Sequence, residues 1–391
     1  MTKSSTAARV DDLAEQAFRK TSLADFGGDS WREGLTLLVE SMETAAGVQP
    51  HTRDQQYGQY VDALVNRLRV VDYRKQHPAV AIERVERPLV VLGLPRTGTT
   101  VASYLLDQDP ARRSLLAWEA TDSIPPATKN TLRTDPRCLK KKAEMDAMAA
   151  ALIEAQFPVP HWEDADGPTE CISVIGQDFK AFLWEAFMPT GAYSEWLLQT
   201  DVTSAYEYER LVLQVLQSRA PGTWSLKMPS HAVNIEALVA VFPDVRIVWA
   251  HRDPFKVTAS NLSMIQLARE MTLGPSLKLC EMVATILQQM RAHVERPLRM
   301  REKLGDARFF HLHYAEFIRD PIGQMRALYR WAGDELTAST EQAMLGWLQR
   351  NPQNKFGRRE YSLEPYGIAR KDLEPIFEEY LATFDIELEG A

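Results

Sequence analysis

Cysteine is scarce in this chain, three residues in 391 (Cys138, Cys171 and Cys280), and they lie far apart with no CxxC pair and no histidine at metal-ligand spacing. That excludes a disulfide framework and a cysteine-bound zinc site, and it fits a reducing compartment. Long apolar runs are missing too. No stretch of about 18 apolar residues occurs, and the N-terminal Met-Thr-Lys-Ser-Ser-Thr-Ala-Ala-Arg lacks the apolar core of a secretory signal. A cytoplasmic protein without a transmembrane segment is the expectation. A basic excess is also absent: 45 Lys and Arg face 53 Asp and Glu, for a net charge of −8. This excludes a non-specific nucleic-acid binder, so any anion site must be a local basic pocket. No internal repeat or low-complexity tract is present.

What the sequence does contain is a strand, a glycine-bracketed turn and a helix start. Leu89-Val90-Val91-Leu92 is an apolar run of strand length, followed by Gly93-Leu94-Pro95-Arg96-Thr97-Gly98-Thr99-Thr100 and an amphipathic segment from Val101. Backbone N–H groups converge in such a loop, and the helix dipole places roughly half a positive charge at its start. The spacing Gly93-x4-Gly98 is that of a Walker A loop, yet Thr99 stands where that loop has its phosphate-gripping lysine. A cation, Arg96, sits inside the loop instead. The loop should hold phosphate, though not as a Mg-ATP kinase would. Alone, a Gly/Pro turn with a solvated arginine explains the same residues.

The flanking chain reads as follows. Residues 8–76 carry helical periodicity, with Ser30 as an N-cap before Trp31, a turn near Gly47 to His51, and a further helix from Tyr57 to Arg74. This N-terminal segment (1–84) is either a packing layer on the main domain (85–391) or a helical arm for oligomer contact. Residues 139–156 are helical again. The stretch from Phe157 to Trp196 is rich in aromatics and reads either as core or as the wall of an apolar acceptor pocket.

Trp224 to Met228, Val245 to Ala250 and Arg308 to Tyr314 are further strands, and helices fall between them. Alternating strands and helices predict a central, mostly parallel sheet in a three-layer α/β fold. Ligands in such sheets sit beyond the carboxyl ends of the strands. That rim collects Arg96, Lys227, His231, Arg252 and Tyr314.

Each of these residues has a definite chemistry. Arg252 and Ser260 are eight positions apart, so a guanidinium on the loop and a hydroxyl in the following helix suit a second, separate phosphate. Pairing of Arg252 with a nearby carboxylate is the plain alternative. Lys227 ends a strand, where burying an unpartnered ammonium is costly, so it should turn to the rim and meet an anion. His231 could act as a general base near neutral pH, or serve as a capping residue.

Together these segments resemble the sulfotransferases that use 3′-phosphoadenosine 5′-phosphosulfate (PAPS). The family's first motif is a P-loop without the Walker lysine, matched here by Gly93 to Thr100. The resemblance implies that Pro95, Arg96, Thr97, Gly98, Thr99 and Thr100 hold the 5′-phosphosulfate. The second motif is a strand ending in arginine with serine eight residues on, which implies that Arg252 and Ser260 bind the 3′-phosphate. Leu226-Lys227-Met228-Pro229-Ser230-His231 resembles the lysine-bearing strand end that carries transfer residues. Tyr314 matches a tyrosine near the adenine. Glu170-Cys171 and the segment Lys355 to Glu364, with Arg358 as a further nucleotide contact, resemble the bacterial branch.

The resemblance implies in-line sulfuryl transfer to a small hydroxylated acceptor, with Arg96 and Lys227 stabilising charge and His231 or Glu170 taking the proton. It requires no metal. This chain departs from the cytosolic branch in placing Arg96 where animal members carry lysine, and in placing His231 four residues after the strand lysine instead of two. Two other classes share the loop, a kinase-like phosphotransferase and a nucleotide-binding protein without catalysis. Residues 351–371 carry five basic side chains against two acidic ones, and this tail either folds over the nucleotide or forms a solvated face.

Overall fold

The computed structural model describes residues 3–154, 163–188, 191–352 and 361–389, and the chain clusters into two compact units. The first unit gathers residues 1–85, 115–222 and 267–278; the second gathers 86–114, 223–266 and 279–391.

The first unit is helical. Its N-terminal part forms three helices, Lys3–Thr21, Ser30–Thr44 and Pro50–Gln76. Trp31, Leu35, Leu38 and Met42 recur at helical spacing and are all buried, which is the amphipathic stripe that docks the second helix. Ser30 is not the cap its position suggested. It is the first helical residue, and its hydroxyl donates to Asp178 Oδ1, which also accepts from Arg67 Nη1 at 3.0 Å in a fully buried pair.

Part of the aromatic stretch supplies core, while Phe187 is exposed and Phe182 and Trp196 are partly buried. Phe179 stacks on Trp184 at 5.5 Å, Tyr60 meets both rings edge-on, and the buried Tyr193 donates to the carbonyl of Phe179 at 2.9 Å. These residues are packing and not pocket wall. Phe157, His161 and Trp162 lie outside the described residues.

The second unit is a five-stranded sheet in the order β2-β3-β1-β4-β5, with every neighbouring pair parallel. The strands are β1 (Leu89–Gly93), β2 (Arg112–Ser114), β3 (Thr223–Lys227), β4 (Arg246–His251) and β5 (Phe309–His313). Alternate side chains take opposite faces. Leu89, Val91, Val248 and Leu312 pack on one face against Leu105, Met325, Leu328 and Met344, which come from helices Thr99–Leu106, Pro321–Ala332 and Ala338–Arg350. On the other face Trp249 meets Phe384 at 4.8 Å and Tyr380 at 6.1 Å, just beyond and within helix Arg370–Thr383. The sheet is covered on both sides, as a three-layer fold requires.

The edge strand β2 was not anticipated. It is three residues long and begins with two arginines, so neither length nor apolar pattern marks it. Buried polar contacts hold it: Arg112 donates to Ser225 Oγ at 3.1 Å and to the Tyr329 hydroxyl at 3.1 Å, and its Nη2 shares Asp334 Oδ2 with Arg246 Nη1.

Candidate active site

The carboxyl end of the sheet gathers several of the residues singled out from the sequence. Strand β1 ends at Gly93, whose register partner on β4 is Ala250. Gly93 has φ +145°, and a Cβ there would stand 2.4 Å from the Ala250 carbonyl oxygen, so only glycine lets β1 turn out beside β4. The loop then passes Arg96, a non-glycine residue in the left-handed region at φ +67°. Thr97 Oγ1 donates to the Leu94 carbonyl at 2.8 Å and closes the turn from within. Gly98, at φ +85°, begins the helix Thr99–Leu106, whose first N–H groups have no acceptor inside the helix. A side chain at Gly98 would meet the Tyr314 ring at 3.1 Å. The loop is a tight cradle of backbone donors.

Arg96, Ser260, Arg252 and Tyr314 come together around this loop. Arg96 Nε donates to Ser260 Oγ at 3.3 Å. Arg252 follows β4 directly, and its Nη1 donates to the Arg96 carbonyl at 2.8 Å. The Arg252 guanidinium lies 4.0 Å from the centroid of the Tyr314 ring, the first residue after β5. Its remaining edge grips a carboxylate in a two-point fork: Nε donates to Glu389 Oε1 at 2.5 Å and Nη2 to Glu389 Oε2 at 2.8 Å. Burial, the largest single influence, opposes the charge, but the Glu389 hydrogen bond and the neighbouring Tyr314, Glu389 and Asp253 groups together outweigh it, and the pKa of Arg252 is raised. Asp253 adds to the field that favours the charge, but the carboxylate in the fork is that of Glu389. The Asp253 carboxylate accepts from the N–H of Phe255 at 2.8 Å and caps the helix Pro254–Leu273.

Lys227 ends β3, in register with Val91, and its side chain is 1% exposed. The ammonium therefore does not lie open at the rim. His231 closes the short turn Pro229–His231 that follows and is fully buried. Burial pushes its pKa down to about 3, well away from the near-neutral value expected of a free histidine base. The imidazole is neutral at physiological pH. Pro95, Arg96, Gly98 and Thr100 are partly exposed, whereas Thr97 and Thr99 are buried.

Glu170 belongs to the first unit, where it is partly exposed, just ahead of the helical turn Ile172–Ile175. Arg358 lies outside the described residues, as does most of the basic segment around it. The sequence reading missed Glu389, which lies six residues past the end of the final long helix in a stretch with no motif of its own. It also missed Glu209 on helix Thr203–Gln217 of the first unit, where burial pushes the carboxyl pKa up to about 8 and a hydrogen bond with Cys171 pulls it back in part.

A phosphate-type loop without a lysine, a second arginine after the neighbouring strand and a fully parallel sheet define the class. The chain belongs to the sulfotransferase family: a family model described as "Sulfotransferase family" matches residues 88–338. Among solved structures, it is 51% identical to sulfotransferase STF9 from Mycobacterium avium, with a TM-score of 0.93 over 97% of this chain and 98% of that one. It is 28% identical to sulfotransferase STF1 from Mycobacterium tuberculosis, with a TM-score of 0.82 over 94% of this chain and 98% of the other. Among curated proteins, it is 25% identical over 261 residues to the omega-hydroxy-beta-dihydromenaquinone-9 sulfotransferase Stf3 of Mycobacterium bovis. That match spans 63% of this chain and 62% of the relative. No helix among the described residues is long and apolar enough to cross a membrane.

Proposed function

We propose that this protein transfers the sulfuryl group of PAPS to a hydroxyl of a small, apolar acceptor. The observation that carries the reading is the 2.8 Å contact between Arg252 and the Arg96 carbonyl, which joins the Gly93–Thr100 loop to the Arg252 fork. A donor with a phosphosulfate at one end and a 3′-phosphate at the other needs two anion sites. The fit has an internal control, because the Arg252 fork already holds a carboxylate in the two-point geometry that guanidinium also uses for phosphate.

In this reading the loop N–H groups and the helix start hold the 5′-phosphosulfate, and Arg96 faces the transferring group. Arginine is a permanent cation here, so its contribution is charge stabilisation and not proton donation. Arg252 and Ser260 bind the 3′-phosphate and fix the donor's register, which is remote binding energy applied to orientation. Tyr314 borders the adenine. Lys227, buried at the end of β3 in the free protein, is assigned to the departing 5′-phosphate, a role that requires its ammonium to be uncovered when the donor binds. The acceptor O–H loses its proton to a base as its oxygen bonds to sulfur and the bond from sulfur to the 5′-phosphate oxygen breaks, leaving adenosine 3′,5′-bisphosphate.

Glu170 and His231 are the candidates for the base. Protonating a histidine with a pKa of about 3 at pH 7 costs about 5 kcal/mol, which weighs against His231 unless a bound acceptor changes its surroundings. The apolar acceptor class draws its support from the curated relative, whose printed name specifies a hydroxylated dihydromenaquinone.

The test is transfer from sulfur-labelled PAPS to a panel of long-chain alcohols, phenols and hydroxylated quinols, run beside labelled ATP with and without EDTA. Label in an acceptor, with adenosine 3′,5′-bisphosphate as co-product, is the expected result. Transfer from ATP that EDTA abolishes would overturn the reading in favour of a phosphotransferase.

A further inference from the structure

The anion held by Arg252 belongs to the protein's own C-terminus. The last long helix, Arg370–Thr383, stops, Phe384 packs against Trp249, and residues 385–389 run back to the site. Glu389 is fixed there at two levels. Its carboxylate fills the Arg252 fork, and its own N–H donates to Asp253 Oδ2 at 2.8 Å. The pair is largely shielded, with 22% of the Arg252 side chain and 35% of the Glu389 side chain exposed.

Arg252 offers one two-point edge at this site. Its Nη1 is committed to the Arg96 carbonyl, and its flat face rests on Tyr314. With Nη1 held on that carbonyl, the edge formed by Nε and Nη2 is the one presented for two-point binding of an oxyanion, and Glu389 occupies it. A guanidinium edge takes one carboxylate or one phosphate in the two-point mode.

We propose that the C-terminal tail is an intramolecular competitor of the donor: the Glu389 carboxylate stands in the place of the nucleotide's 3′-phosphate and leaves when that phosphate enters. This rests on the assignment of Arg252 to the 3′-phosphate made above. The tail is tethered a few residues from its site, so its effective concentration is in the millimolar range and does not depend on the solution. The competition therefore sets a fixed threshold for loading, and it discriminates. Nucleotides with a 3′-phosphate gain enough at Arg252 to displace the tail, whereas those without one have no reason to disturb it.

The experiment is calorimetric titration of the full chain, of Glu389→Gln and of a chain ending at Asp385, each with adenosine 3′,5′-bisphosphate and with adenosine 5′-monophosphate. Removing the competing carboxylate is expected to tighten bisphosphate binding about tenfold in both variants and to leave the monophosphate within about twofold. Equal bisphosphate affinity in all three proteins would overturn the competition. So would a gain of the same size for the monophosphate, which would show the tail to be a general obstruction.

Amide hydrogen exchange over residues 385–389 separates this failure from failure of the donor reading. The tail contact predicts slow exchange in the free full chain and faster exchange in Glu389→Gln, with no nucleotide present. If exchange behaves this way but no protein binds the bisphosphate, the donor assignment fails and the competition falls with it. If the tail exchanges freely in the full chain, the proposal fails whatever the nucleotide does.

Discussion

The guanidinium of Arg252 holds the backbone carbonyl of Arg96 at 2.8 Å, so the residue assigned to one phosphate also shapes the loop assigned to the other. Arg96 needs such support. It is a non-glycine residue at φ +67°, a conformation that costs of order 1 kcal/mol and persists only where surrounding contacts impose it.

This coupling predicts an asymmetric result for the two arginines. Arg96→Ala should lower kcat about a hundredfold or more while leaving bisphosphate affinity within a few-fold, because the proposed function assigns Arg96 to charge on the transferring group. Arg252→Ala should raise the donor KM at least about thirtyfold, and Arg252→Lys should rescue little of it, since a point charge cannot reproduce the fork. Steady-state kinetics with varied donor check both. Equal losses in kcat and affinity for Arg96→Ala would make it a simple anchor.

Two glycines of the loop should fail in different ways. At Gly93 a Cβ would lie 2.4 Å from the Ala250 carbonyl oxygen, backbone against backbone. Gly93→Ala should therefore destabilise the protein by about 3 kcal/mol or more, read as a lower denaturant midpoint. At Gly98 the obstacle is the edge of the Tyr314 ring, 3.1 Å away, together with φ +85°. Gly98→Ala should cost less stability, about 1–2 kcal/mol, and show its larger effect as weakened nucleotide binding.

The burial of His231 makes a prediction about pH. With a pKa of about 3, it is neutral throughout the physiological range and does not titrate near 6.5. The profile of kcat/KM for the free enzyme should therefore show no limb near pH 6.5 that depends on His231. An acidic limb near 6.5 that vanishes in His231→Gln would contradict the buried, neutral state. Comparing kcat for His231→Ala and Glu170→Gln at saturating donor then separates the two bases: the variant that keeps its turnover has lost no proton acceptor.

Glu209 makes the corresponding prediction for stability. Its folded pKa of about 8 lies above the unfolded value near 4.3, so between those limits the native state binds the extra proton. The unfolded state binds fewer protons there, and stability falls as pH rises from about 4 through about 8. The protonated carboxyl is favoured at low pH, and its contribution is lost as the proton leaves. Thermal midpoints of Glu209→Gln should decline less steeply than those of the parent between pH 5 and 8.5. Parallel curves would show that Glu209 is not the group responsible.

Much of the second unit was legible because parallel strands buried on both faces are written as apolar runs. Leu89 to Leu92 and Ile247 to Ala250 are such runs, and β1 and β4 fall on them within a residue at each end. The loop was legible for a related reason: Gly93 and Gly98 sit where the backbone must adopt conformations closed to other residues. Strand β2 was not legible, because Arg112 is held by side-chain partners more than a hundred residues away and Arg113 lies over the ring of Trp224. Ser30 carried a local capping signal, but a buried long-range contact to Asp178 took its hydroxyl. The degree of burial of Lys227 and His231, and the return of Glu389 to Arg252, are properties of the assembled fold that no local spacing encodes.

The most direct measurement of the central claim is a structure of the full chain with adenosine 3′,5′-bisphosphate. The account predicts the 5′-phosphate within the loop of residues 94–100 and the 3′-phosphate on Arg252 and Ser260, with Glu389 displaced. A nucleotide bound with either phosphate away from its assigned residues, or with Glu389 still seated on Arg252, would contradict it.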